Sequence, residues 1–133
     1  MSNMKAAKWF LRIGIASVFI LHGLTSLYSG GDEWTSWIMA FTGWGQEAAS
    51  RALFAVGLLD LFVGLVVLLK PIRVVLLWAT VWTFWTAFMT MLSFTGGSFG
   101  EYEEFIEKTP NWIMPLALLF LLGWPKRLRG WLR

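Results

Sequence analysis

Between Leu53 and Leu69 the chain carries one charge, Asp60, in a run that is otherwise apolar. The run meets the length a helix needs to cross a bilayer, which starts at about 17 residues. A carboxylate at that depth costs roughly 2.5–3.5 kcal/mol on insertion scales. A chain that keeps one there pairs it, protonates it or uses it. The intramembrane candidates for a partner are His22, the single histidine, and Arg12, both in the first apolar segment.

Composition sets the class. Of 133 residues, 57% are hydrophobic and 14% charged, a balance that soluble domains of this length rarely reach. Ten Trp and eleven Phe point to an integral membrane protein with aromatic belts. With no cysteine in the chain, disulfide exchange, thiolate nucleophiles and iron–sulfur ligation are excluded for this chain alone. A lone histidine excludes a bis-His haem within it. A redox cofactor would have to be diffusible, such as a quinone, or shared with another subunit. Phosphate loops, nucleophile triads and metal-ligand pairs are absent from the sequence, so the chain holds no cofactor or metal of its own.

Four apolar segments cover residues 8–28, 48–69, 71–94 and 110–124. They predict an all-α bundle of four transmembrane helices in a single membrane domain, 1–133. The fourth is short; Thr109 suits its cap, Pro110 its first helical position, and Pro115 a kink or its first turns. Lys5 and Lys8 before an apolar stretch resemble a signal peptide. The stretch is long for one and its exit lacks a small-x-small cleavage site, so it reads as a mature helix. Lys5, Lys8, Arg12, Lys70, Arg73, Lys126, Arg127, Arg129 and Arg133 fall on one side of the spans, and only Arg51 and Lys108 on the other. The positive-inside rule then puts both termini in the cytoplasm. Trp34, Trp37, Ile38, Phe41 and Trp44 recur at helical spacing and predict a short amphipathic helix in the outer interface. The basic segment from Pro125 to Arg133 reads as an anchor on anionic lipid and is too short for a nucleic-acid site.

At 1.5 Å per residue, Arg12 lies ~6 Å inside its end of the membrane, His22 ~9 Å from the outer end and Asp60 ~15 Å from either. Arg12, His22 and Asp60 therefore define a buried polar site between the first two spans. It reads in two ways: a place that binds a head group or relays a proton, or an interhelical clamp that fixes packing. Gly14, Gly57 and Gly64, with Ala16 and Ser17, read as ordinary helix packing. Thr80, Thr83, Thr86 and Thr90 form a hydroxyl stripe whose expected role is to satisfy backbone carbonyls. Trp78, Trp82 and Trp85 share one face of the third span. They would wall a flat ligand such as a quinone ring, or face lipid or a partner; lipid or a partner is the preferred reading. The acidic stretch from Glu101 to Glu107 reads as a solvated face.

Leu11-Arg12-Ile13-Gly14, leading to Val18-Phe19-Ile20-Leu21-His22-Gly23-Leu24, resembles the first helix of the DoxX family, and Ala55 to Leu69 around Asp60 resembles its second. The resemblance covers mainly these two helices. It implies a small bacterial membrane protein of four spans in the inner membrane, some relatives being linked to thiosulfate:quinone oxidoreductase and others to redox-stress complexes. Two positions depart from the pattern. Thr25 and Ser26 stand where a Lys often follows the His-Gly pair, and Asp60 stands where the acid is usually Glu. The resemblance carries a site role to Arg12, His22, Gly23 and Asp60 but no catalytic activity. Two functions follow: a subunit of a quinone-linked membrane redox system, or a non-enzymatic structural or assembly subunit of a larger complex. Membrane lipid and a second membrane protein chain, identical or not, are the expected partners.

Overall fold

The structure, a computed structural model, describes residues 2–28, 32–92 and 99–133. Helices account for nearly all of them, and there is no strand among the described residues. In chain order they are α1 (Asn3–Tyr28), α2 (Asp32–Thr42), α3 (Gln46–Leu69), α4 (Arg73–Met91), α5 (Phe99–Glu107), α6 (Thr109–Leu122) and α7 (Leu128–Trp131). Four stretches are long and apolar enough to cross a membrane: Asn3–Tyr28, Gln46–Leu69, Arg73–Met91 and Tyr102–Leu122. The chain is a multi-pass membrane protein. The end of the expected third span, Phe94, lies outside the described residues.

The fourth span differs from expectation. It does not begin at a Thr109 cap: Lys108 occupies the cap position in a helical conformation, with no side-chain cap bond. Helix continues back through α5 to Tyr102, which supplies the length that α6 alone lacks. The break between α5 and α6 has a local cause. Pro110 has no N–H to give the carbonyl four residues back, so the ladder tightens there, with Asn111 N–H reaching the Lys108 carbonyl at 3.0 Å.

Two compact units make up the chain: Ala16–Leu65, and Met1–Ile15 with Val66–Arg133. In the first, α1 and α3 run antiparallel, Gly23 meeting Gly57 while Ala16 and Ile20 meet Gly64. Ala16, Phe19, Ala49, Leu53 and Val63 are its buried apolar residues. Trp34 and Trp37 of α2 meet edge to face, ring centroids 4.9 Å apart.

In the second unit, α4 and α6 are antiparallel neighbours. Thr83 faces Asn111 near the start of α6 and Arg73 faces Leu122 at its end. Leu76, Ala79, Thr83, Ala87 and Thr90 recur every three or four residues and form the buried face of α4, as a helix period of 3.6 requires. Pro115, Leu118 and Leu119 answer from α6, and Gly14 of α1 lies against Met114.

Candidate functional site

Asp60 is 4% exposed, and the reason lies in its two neighbours along the helix. Gly57 and Gly64 stand three residues before it and four after, on the same face of α3. Both are places where α1 comes close. A Cβ at Gly57 would lie 2.9 Å from Ser26 Cβ and 3.1 Å from the Gly23 carbonyl oxygen. One at Gly64 would lie 2.9 Å from Ile20 Cγ1, and one at Gly23 would lie 2.8 Å from the Gly57 carbonyl oxygen. Asp60 is thus bracketed by two close crossings, and α1 shields it from lipid. The pattern Gly57-x-x-Asp60-x-x-x-Gly64 is a polar group set inside a small-residue seam.

The other two members of the expected site are placed differently. His22 is exposed, not buried. The inward stripe of α1 runs through Ile15, Ala16, Phe19 and Gly23, and helical rotation puts His22 at the edge of that stripe. A histidine there has the helix seam on one side and open surface on the other. Arg12 is half-buried and acts on the end of α3. Its Nε donates to the Val67 carbonyl at 3.2 Å, and one terminal nitrogen donates to the Leu68 carbonyl and, at 2.9 Å, to that of Leu69. Its guanidinium also lies 4.0 Å from the centre of the Trp9 ring. These carbonyls need a donor: Pro71 has no N–H for Val67, and the last turn of any helix leaves its carbonyls without intrahelical partners.

Arg73 does for α6 what Arg12 does for α3. Its guanidinium donates to the carbonyls of Leu122 at 2.6 Å, Gly123 at 3.0 Å, Gly130 at 3.3 Å and Arg133 at 3.0 Å. Sequence reasoning counted Arg73 only as a topogenic charge. The hydroxyl stripe was legible: Thr80, Thr83, Thr86 and Thr90 each donate to a backbone carbonyl three or four residues earlier. Thr83 does more, because its Oγ also lies 3.1 Å from the Asn111 carbonyl of α6. That carbonyl would pair with residue 115 in an unbroken helix, and Pro115 has no N–H to offer.

Trp78 and Trp82 stack at 5.5 Å and 12°. Trp78 and Trp85 are each 41% exposed, on the side of α4 away from its buried threonines. A second aromatic group joins α4, α5 and α6, with Phe84 edge-on to Phe105 and to Trp112. The Trp112 indole N–H is buried there with no acceptor among the described residues. No group of metal-ligating side chains occurs among the described residues. Comparison with family models, with characterised proteins and with solved structures finds no match for this chain.

Proposed function

We propose that the chain is a small, non-catalytic subunit of a larger complex in the bacterial inner membrane, with its ends in the cytoplasm and α2 in the outer interface. The observation that carries this reading is the outward aromatic face of α4. Indoles stacked on one another at mid-span, rather than at the bilayer edges where they anchor, suit a surface that packs against another chain. The polar side chains support it too, since Arg12, Arg73 and the threonines are engaged with this chain's own backbone. The DoxX resemblance makes a quinone-linked redox system the class of complex to search. Gentle extraction from the native membrane, followed by native mass spectrometry, tests the proposal. A co-purifying chain, or a stable homo-oligomer, is the expected result. A monomer at every concentration with no companion overturns it. For orientation, a cysteine at Lys70→Cys should resist a membrane-impermeant reagent in intact cells while one at Gly45→Cys reacts.

The second reading, a head-group or proton site, is favoured by the buried Asp60. Asp60→Asn separates the two. It keeps the shape and should leave complex assembly intact; loss of quinone-dependent turnover in that intact complex would favour the second reading.

A further inference from the structure

We infer that residues 126–133 form a docking surface for anionic phospholipid head groups, held in place by Arg73. The segment is folded back against the end of the α4–α6 pair. Gly123 turns the chain with φ +87°. Arg73 then ties down both the end of α6 and the segment itself, through the Gly130 and Arg133 carbonyls, and its own backbone N–H reaches Arg133 at 3.3 Å. Trp131 packs edge-on against Trp124, centroids 5.1 Å apart, and Trp124 stacks on Phe120. A Cβ on Gly130 would lie 2.8 Å from Pro125 Cβ. The inner side of α7 is therefore occupied.

The outer side has a composition that defines its occupant. Leu128 is 88% exposed and Leu132 69%, four residues apart and so on one side of the turn. Lys126, Arg127, Arg129 and Arg133 are exposed around them. This segment lies where a membrane span ends, at the depth of lipid head groups. Two leucines there enter the acyl boundary, and the surrounding cations meet phosphate. Arginine suits that role because its planar fork matches two phosphate oxygens at once. A neutral zwitterionic lipid satisfies the leucines but not four cations, so the surface selects for net negative charge. Arg73 is the positioning residue, since its hydrogen bonds end on backbone carbonyls and fix where the cations stand.

The whole chain in mild detergent, offered equal phosphatidylglycerol and phosphatidylcholine, gives the test, with native mass spectrometry counting each retained lipid. Wild type should retain phosphatidylglycerol preferentially. The triple variant Lys126→Gln, Arg127→Gln, Arg129→Gln changes only exposed side chains and should lower that preference by at least about tenfold, each cation near a bilayer being worth about fivefold. Arg73→Gln keeps the segment's own four cations yet should lower the preference as well, with helix content unchanged. Equal retention of both lipids by wild type, or an unchanged preference in the triple variant, overturns the proposal. So does even retention combined with a dimer that the triple variant abolishes, which would assign the surface to a second copy of the chain.

Discussion

The two units solve one problem by opposite means. Apolar side chains gain nothing by leaving lipid for one another, so membrane helices hold together through close packing or polar contacts. Ala16–Leu65 removes side chains: Gly23, Gly57 and Gly64 bring the backbones of α1 and α3 together, and Asp60 is enclosed by that closeness. The unit containing α4 and α6 adds side chains instead. Arg73, Thr83 and the Phe84 cluster bridge the helices, and each bridging donor ends on a carbonyl that a helix end or a proline leaves without an intrahelical N–H. The glycine seam between α1 and α3 should tolerate no added volume. The α4–α6 pair should be sensitive above all to the loss of a donor.

The sharpest way to break this contrast is to enlarge Gly23. Its Cβ would meet the Gly57 carbonyl oxygen at 2.8 Å, a backbone atom that cannot swing aside. Gly23→Leu should cost about 3 kcal/mol, the upper end of ordinary overpacking, measured by reversible unfolding in mixed micelles. At Gly45 a Cβ would have nothing within 4 Å, so Gly45→Ala should stay within about 0.5 kcal/mol. Equal losses at both positions would mean that the seam is not what holds α1 to α3.

Next in size is Arg73→Lys. An ammonium keeps the charge but cannot reach four carbonyls on two sides as a planar fork does. The loss should be roughly 1.5–3 kcal/mol, the range for hydrogen bonds to charged groups, and the end of α6 should become sensitive to protease. Arg12→Lys should act in the same direction at the end of α3. Stability unchanged in both would remove the guanidinium bridges from the comparison.

How far the sequence discloses this architecture depends on whether a feature is local. The spans are visible because hydropathy accumulates along a contiguous run, and the threonine bonds because they close within one turn. The Gly57-x-x-Asp60-x-x-x-Gly64 bracket is local as well, yet its meaning depends on Gly23, more than thirty residues earlier. Arg73 reads as a surface charge because its acceptors lie 49 to 60 positions away. The angle of His22 is not legible from hydropathy, because it is set by the rotation that puts Gly23 inward and leaves His22 exposed at the edge of the stripe. The continuation of the fourth span into α5 was hidden by the glutamates, which mark an end by hydropathy while the backbone goes on.

The smallest effect is the most discriminating. Thr83 and Thr86 are both α4 hydroxyls bonded within their own helix, to Ala79 at 2.6 Å and to Thr83 at 3.1 Å. Only Thr83 also faces the Asn111 carbonyl that Pro115 leaves without its helical partner. Valine matches threonine in shape and removes the hydroxyl. Thr86→Val should therefore be close to neutral, since the carbonyl it bonds keeps a helical donor. Thr83→Val should cost about 0.6–1 kcal/mol, the usual worth of an interhelical hydrogen bond in a membrane. The second half of the test is Pro115→Ala, which restores an N–H to Asn111. In that background Thr83→Val should lose most of its effect, because the carbonyl no longer needs the hydroxyl. A double-mutant cycle reads this coupling directly. If Thr83→Val costs the same with alanine at 115, the hydroxyl stabilises α4 alone, and the polar contact between α4 and α6 rests on Arg73.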